Sequence, residues 1–311
     1  MTQPRIAVIG SFMQAVCWQL ERLPLPGETL AATGFSSELA GKGLAVAVGC
    51  RRLGAEVDLL LSVGNDAAGD ALLLRLRQED LPTRHVTRHA EASGHGAGWV
   101  SDDGSSAIAV FPGANAKLDV SQVACANETL AAATLVYAQF ETPISAAREA
   151  FARAHRRGAI TVLNPSPWQS LDSELLAYTQ VLVVNEPEAA LLMPGWQHNP
   201  RAGQSTHAKG ALCRLWATWP GGLERRLVVT LGALGSISFS PVNDEVFVPS
   251  EVVDNADSIG AGDAFSAGFC TALSKGRSAT ESLSIGNACG AFAVSHPGIL
   301  DALPFAANVA V

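Results

Sequence analysis

The hydrophobic positions of this chain fall mostly into short continuous runs rather than alternating ones. Six runs have the length of a β-strand, at 5–10, 57–64, 134–140, 160–165, 181–185 and 227–232. Continuous runs are typical of strands that are covered on both faces. Apolar residues recur at helical spacing within 41–54, 67–80, 144–158 and 186–193. This alternation predicts an α/β fold with a doubly wound, mainly parallel sheet and helices on both of its faces.

Two segments, 11–38 and 92–112, interrupt the alternation with turn signals and strand-like runs that lack intervening helices. The sequence SDDGSS at 101–106 is a candidate hairpin turn. We predict that these segments form a small β lid on an α/β core built from 1–10, 39–91 and 113–311. Between Trp196 and Gly222 we expect a loop with one helix, at 211–219.

Composition and charge narrow the class of partner. The 311 residues are 48% hydrophobic and carry a formal charge of −8, with no run of five basic residues. Nucleic acid and anionic membranes are therefore unexpected partners, and a small molecule is favoured. No apolar stretch reaches the ~18 residues of a membrane span, so we expect a cytoplasmic protein. The six cysteines form no C-x-x-C pair and are expected to be buried free thiols.

The stretch DSIGAGDAFSAGF at 257–269 carries the strongest chemical signal. Apolar residues follow it at helical spacing and Gly276 is placed to end that helix, so GAGD lies at a helix N-terminus. Free backbone amides there bind anions, and the small residues Gly260, Ala261 and Gly262 let a phosphate approach closely. Asp263 either caps this helix or accepts a proton from a substrate hydroxyl beside the bound phosphoryl group. Neither a P-loop nor a dinucleotide fingerprint is present.

Nine short motifs occur in the order of one known family. They are GS at 10–11, LPLPGET at 23–29, AGKG at 40–43, VGNDAAGD at 63–70, PGAN at 112–115, FETP at 140–143, NEPE at 185–188, TLGALGS at 230–236 and DSIGAGDAF at 257–265. Together they resemble the ribokinase-like, or phosphofructokinase-B, family of carbohydrate kinases over nearly the whole chain. The resemblance implies ATP as phosphoryl donor and a sugar or sugar-like alcohol as acceptor. It also implies Asp263 as the catalytic base and Gly260, Ala261 and Gly262 as the anion hole.

The resemblance also implies a nucleotide site. Asn185 and Glu188 would arrange Mg²⁺ and phosphate, although an Asn cap and a solvated helix-start Glu are the structural alternative. Thr230 and Gly232 would form the nucleotide-binding turn. The alternative is that Thr230 is an ordinary strand residue and Gly232 an ordinary turn residue. Asn287 aligns with the region of the family that lies on the adenine side of the nucleotide site.

Many members of the family bind a monovalent cation, and the matching positions define a possible K⁺ site. They are Asp257, Ile259, Ala293, His296 and Gly298. His296 is otherwise a surface histidine near a helix end. The lid often mediates homodimerisation in this fold, so a homodimer is possible.

The acceptor pocket departs from the family pattern. The polar residues usual after the first strand are replaced by Met13 and Ala15, and an asparagine is replaced by Ala45. The retained candidates are Gly41, Lys42 and Glu141. The alternatives are a solvated charge for Lys42 and a helix start for Glu141. Since unpartnered buried hydroxyls cost ~1–3 kcal/mol each, free ribose is disfavoured. The alternative acceptors are a bulkier or more apolar sugar-like molecule and a nucleoside. A further alternative is that the protein is an idle nucleotide- or sugar-binding protein.

Overall fold

A computed structural model describes residues 3–103, 105–196, 206–242, 244–251, 253 and 259–309. Its strands are β1 (Arg5–Ile9), β2 (Met13–Leu20), β3 (Gly34–Ala40), β4 (Glu56–Gly64), β5 (Val86–His89), β6 (Gly94–Ser101), β7 (Ser106–Phe111), β8 (Leu135–Gln139), β9 (Ile160–Asn164), β10 (Val181–Asn185), β11 (Arg226–Thr230), β12 (Ser236–Phe239) and β13 (Glu245–Val248). Its α-helices are α1 (Lys42–Arg52), α2 (Ala67–Gln78), α3 (Val120–Cys125), α4 (Asn127–Ala132), α5 (Ile144–His155), α6 (Ser173–Ala177), α7 (Glu186–Leu192), α8 (Thr206–Thr218), α9 (Ala261–Ser274) and α10 (Ala279–Val294).

The larger sheet has the strand order β13-β12-β11-β10-β9-β8-β1-β4-β5. The strands from β11 to β5 pair in parallel, and β12 and β13 add an antiparallel edge. The expected doubly wound, mainly parallel sheet is confirmed. The antiparallel edge and β5 were not predicted, since their short sequences lack the continuous apolar run of a central strand.

Both faces of this sheet are covered, which is why its central strands read as unbroken apolar runs. In β1, Ile6 and Val8 face one buried core together with residues of α1, α9 and α10. Ala7 and Ile9 face a second core with residues of α5 and α7. The sheet is thus held between two helical layers, and its strands end at a common edge.

The second sheet has four strands in the order β3-β2-β6-β7. Its strands come from the two segments that interrupt the α/β pattern, and β6 and β7 form an antiparallel hairpin. On one face the Trp18 ring stacks on Trp99, with 5.9 Å between ring centroids. The domain boundaries proposed from the sequence stay a prediction, and β3 runs to Ala40, two residues beyond them.

Three features differ from the sequence-based expectations or add to them. Helix α8 begins at Thr206 rather than at 211. The expectation of uniformly buried thiols is wrong, because Cys125 and Cys213 are exposed and Cys17 is half-buried. Both exposed cysteines lie on helices that cover the outside of the sheet, where one helix face meets water. Over the described part of the chain, every helix is too short or too polar to cross a membrane.

Candidate active site

Polar side chains gather where the central parallel strands end. Asn164 at the end of β9 pairs with Gln139 of β8, and Asn185 at the end of β10 pairs with Thr230 of β11. Asn164, Asn185 and Thr230 line one cleft with the N-terminus of α9. Ligands of open α/β sheets bind at this edge. The sequence identified Asn185 and Thr230 but missed Asn164, although it also ends a predicted strand.

The N-terminus of α9 is built to bind an anion. Gly260 precedes the helix with φ +80°, a left-handed conformation that favours glycine, and its carbonyl accepts the amides of Asp263 and Ala264. The amides of Ala261 and Gly262 have no acceptor among the described residues. A Cβ built on Gly262 would meet nothing within 4 Å, so the space above it is open. These free donors and the positive end of the helix dipole face the cleft.

Asp263 lines the same cleft, in the first turn of α9. Its carboxylate accepts no hydrogen bond from any amide of the described residues, so the interpretation as a helix cap is not supported. Burial raises the pKa of Asp263 to about 6; the positive charge of Lys42 opposes this, and the carboxylates of Glu141 and Glu188 add to it. At neutral pH the group is therefore largely ionised and still basic enough to accept a proton from a bound hydroxyl.

A hydrogen-bond network fixes the backbone of Lys42, which lines the same cleft as Asp263. One oxygen of Glu141 accepts the Ser11 hydroxyl at 2.5 Å and the backbone N–H of Lys42 at 2.9 Å. The Ser11 oxygen in turn accepts the N–H of Gly43 at 3.3 Å. Gly41 has φ +128°, and a Cβ there would lie 2.4 Å from the Ser11 carbonyl oxygen. The AGKG and GS motifs therefore pack closely against each other.

These contacts decide between the alternatives for Lys42 and Glu141. Glu141 does not start the next helix, because α5 begins at Ile144 after Pro143; it caps α1 from a distance instead. Lys42 is half-buried in the cleft, and its pKa is raised chiefly by Asp263 and further by Glu141 and Glu188. A solvated surface charge would not be held in this way. Ser11 belongs to the GS motif at 10–11, but the sequence assigned it no role in the site.

Asn185 and Glu188 form a reciprocal capping box at the start of α7. The Asn185 Oδ1 accepts the amide of Glu188 at 2.8 Å, and a Glu188 oxygen accepts the amide of Asn185 at 3.0 Å. Glu188 is 6% exposed, so the alternative of a solvated side chain at the helix start does not hold. Both residues line the cleft, and the Asn185 Nδ2 and the second Glu188 oxygen have no hydrogen-bond partner among the described residues. The pair combines a structural cap with free ligand atoms.

A smaller cavity of about 280 Å³ adjoins the cleft through Thr230, Gly232 and Ala261. It is mostly apolar, and Phe265 and Val294 form part of its wall. Asn287 also lines it and donates to the Val248 carbonyl at 2.9 Å, which leaves its own side-chain oxygen available. A flat apolar ring with one polar edge fits such a cavity. Phe265 and Val294 were not identified from the sequence, since apolar helix residues there also fit an ordinary core.

The three substituted acceptor positions lie at the base of the small sheet and on α1. Met13 is 7% exposed at the start of β2, and Ala15 lies two residues further along the same face. Ala45 is 1% exposed within α1. None of the three offers a hydrogen bond to a ligand.

The residues expected to bind a monovalent cation are Asp257, Ile259, Ala293, His296 and Gly298. Asp257 lies outside the described residues. The loop after α10 approaches the anion hole, because a Cβ built on Gly260 would lie 3.9 Å from the Ile299 side chain. The exposed His296 ring stacks on Phe292 and lies 2.8 Å, through Nδ1, from the Phe292 carbonyl oxygen. The His296 side chain thus serves the helix end, as expected of a surface histidine.

Comparison with known proteins now identifies the class to which this fold and cleft belong. The model of the pfkB family of carbohydrate kinases matches residues 3–306. The chain belongs to this family. It is a carbohydrate kinase, a phosphotransferase with an alcohol acceptor, as the motifs indicated.

Individual relatives match over nearly their full length. The ribokinase of Haemophilus influenzae is 29% identical over 304 residues, covering 96% of this chain and 95% of its own. The crystal structure of Thermotoga maritima ribokinase has a TM-score of 0.84 at 26% identity and covers 97% of each chain. The ribokinase of Cryptococcus neoformans in complex with ADP has a TM-score of 0.82 at 25% identity, covering 99% of this chain and 98% of that one. These likenesses confirm the ribokinase-like fold.

Proposed function

We propose that this chain transfers the γ-phosphoryl group of ATP to a hydroxyl of an uncharged, sugar-like small molecule, with Asp263 as the general base. The observation that carries the proposal is the shared position of Asp263 and the free amides of Ala261 and Gly262 in one cleft. A proton acceptor and an anion site side by side are what phosphoryl transfer to an alcohol requires.

The chemistry follows from this arrangement. Asp263 takes the proton of the acceptor hydroxyl, the acceptor oxygen forms a bond to the γ-phosphorus, and the bond between that phosphorus and the β-γ bridging oxygen breaks. ADP leaves with the bond's electron pair, and the proton stays on Asp263 until it is released to solvent. The amides of Ala261 and Gly262, with the Lys42 ammonium, stabilise the negative charge on the transferred group.

The donor site fits ATP and Mg²⁺. The apolar cavity beside Phe265 and Asn287 would take the base, which places the phosphates toward Gly232 and the α9 N-terminus. The ADP complex of the Cryptococcus relative supports this donor. No cluster of three metal-ligating side chains exists among the described residues. Mg²⁺ nevertheless fits Glu188 and Asn185, because it binds proteins through few carboxylates plus phosphate and water, and it would neutralise phosphate charge.

Four finer points belong to the same proposal. The four-stranded sheet, from 11–38 and 92–112, acts as a lid over the acceptor. Its exposed aromatic face, with Phe35 62% exposed and 5.6 Å from the Trp18 ring, supports a homodimer through the lid. A Phe35→Ser change should then lower the sedimentation-derived mass, whereas Leu223→Ser, another exposed site, should not.

A K⁺ near Gly260 and a cytoplasmic location complete the proposal.

An ADP-release screen tests the function. Sugars, amino sugars, sugar phosphates and nucleosides would be supplied with MgATP, with and without K⁺. We expect release with at least one uncharged sugar or sugar-like compound, and weak activity with D-ribose because Met13, Ala15 and Ala45 offer no hydrogen bonds. Release with nucleosides alone would favour a nucleoside kinase. Binding of ATP without acceptor-dependent release from any compound would favour an idle binding protein and overturn the proposal.

A further inference from the structure

One face of the small sheet contains a single charged side chain, Glu38. Paired residues in neighbouring strands share a face, so the register defines its members. They are Met13, Ala15, Cys17, Gln19, Gly34, Ser36, Glu38, Ala40, Gly94, Gly96, Gly98, Val100, Ser106, Ile108 and Val110. All of these residues are described. Across the sheet from Glu38 the face is apolar, because Ala15 lies directly opposite it and Gly96 lies beyond Ala15; Ser36, on the same strand, is its polar neighbour.

The Glu38 end of this face lies near the active site. Strand β2 follows Ser11, and β3 leads directly into Gly41 and Lys42, so the Glu38 end of the sheet joins the active site. The Glu38 Oε2 accepts the backbone N–H of Ile299 at 2.8 Å. Ile299 in turn packs against the position of a Cβ on Gly260, at 3.9 Å. Glu38 therefore reaches from the lid toward the loop beside the anion hole.

The Glu38 carboxylate keeps binding capacity in this position. Its one hydrogen bond to a described donor is that to the Ile299 amide, and no cation of the described residues pairs with it. An ionised carboxylate can accept about four hydrogen bonds. Since Glu38 is half-buried on an apolar face, its remaining lone pairs are best satisfied by donors that a ligand brings.

We infer that Glu38 binds hydroxyl groups of the acceptor, as the lid's specificity-determining residue for the phosphoryl transfer. The inference rests on the proposed kinase function and assigns the polar contact that Met13, Ala15 and Ala45 do not supply. A hydroxyl that donates to a carboxylate makes a charge-assisted bond, stronger than one between neutral groups. The same negative charge, on a face without a basic residue, disfavours acceptors that already carry a phosphate.

The test compares variants on whichever acceptor the ADP-release screen identifies. Glu38→Ala should raise the KM for the acceptor about 10- to 100-fold, with the KM for ATP changed less than about twofold. Glu38→Gln keeps an oxygen for the Ile299 amide but loses the charge, so it should still raise the acceptor KM. Adding Ala15→Asp to Glu38→Ala returns a carboxylate to the same face and should recover part of the lost affinity. Glu21→Gln, at an exposed lid carboxylate, is the matched control.

The outcomes separate this inference from the kinase proposal. If the wild type turns over an acceptor and Glu38→Ala leaves its KM unchanged, the role of Glu38 is wrong and the kinase function stands. Glu38→Ala could instead lower kcat and raise the KM values for acceptor and ATP by similar factors, while Glu38→Gln stays near wild type. That result would assign Glu38 to the Ile299 contact alone and overturn the inference. Acceptor binding that depends on Glu38 in calorimetry, without turnover, would support Glu38 and overturn the kinase. Neither binding nor turnover by the wild type would overturn both.

Discussion

The Lys42 ammonium and the Asp263 carboxylate act on each other across the cleft. The negative charge of Asp263 is the largest cause of the raised pKa of Lys42. The positive charge of Lys42 in turn opposes the rise in the pKa of Asp263, but the effect of burial is larger and the pKa is about 6. The pair thus keeps Lys42 charged while Asp263 remains a usable base, which is the combination that transfer of a charged group to a neutral hydroxyl requires.

The first prediction concerns pH dependence. Since Asp263 must be ionised to accept a proton, kcat should fall as pH drops through about 6. Lys42→Met removes the charge that lowers the pKa of Asp263, so the acidic limb should move to higher pH. Glu141→Gln removes a charge that raises it, so the limb should move to lower pH, and the glutamine oxygen can still accept the Lys42 amide.

Profiles of kcat against pH at saturating MgATP measure both shifts, because titration of the nucleotide is common to all variants. Lys117→Met is the matched control, since Lys117 pairs with Glu91 away from the cleft. Equal limbs in wild type and Lys42→Met would contradict the coupling between Lys42 and Asp263.

The second prediction concerns the base itself. Asp263→Asn keeps the size of the side chain and removes its ability to accept the hydroxyl proton. We expect kcat to fall about 10²- to 10⁴-fold while the affinity for ATP changes less than about threefold. Initial-rate kinetics and ADP titration calorimetry measure the two quantities, with Asp102→Asn, an exposed lid aspartate, as the control. Turnover within about twofold of wild type would exclude Asp263 as the base.

The third prediction is that the same substitution stabilises the fold at neutral pH. The folded-state pKa of Asp263, about 6, lies above its ordinary value of 3.8, so the folded chain binds this proton more tightly than the unfolded chain. Stability from this group is therefore present at low pH and lost as pH rises from about 4 to about 6. A difference of about two pKa units corresponds to about 3 kcal/mol, which is an upper bound here.

Denaturant unfolding of wild type and Asp263→Asn at pH 5 and pH 7.5 checks this prediction. The variant should be more stable, by more at pH 7.5 than at pH 5. A variant that is less stable at both values would mean that the carboxylate contributes favourable contacts in the folded state.

The sequence predicted the parts of this molecule that rest on local patterns. Buried strands leave continuous apolar runs, so the central strands could be predicted. The family resemblance then implied Asn185 and Thr230, and both lie at the sheet edge where ligands of such sheets bind. The helix that carries Asp263 was visible in its apolar spacing and in Gly276, which ends α9 with φ +75°.

The remaining features depend on contacts between distant segments. Ser11 and Glu141 are 130 residues apart, and Glu38 and Ile299 are 261 residues apart. Neither pair leaves a local pattern, because each contact exists only once the strands and loops have packed. The motif at 185–188 was ambiguous for another reason: Asn185 with Glu188 three residues later fits both a capping box and a site for phosphate with Mg²⁺.

The last prediction separates folding from function at the anion hole. A methyl group on Gly262 would meet no protein atom within 4 Å, and φ there is helical, so Gly262→Ala should fold normally and gain about 0.5–1 kcal/mol. The same methyl group would occupy the space above the free amides, so kcat/KM for ATP should fall at least about tenfold. Gly210→Ala, on the exposed side of α8, should give a similar gain in stability without loss of activity. If Gly262→Ala is stabilised and fully active, the phosphoryl group does not bind at this helix end.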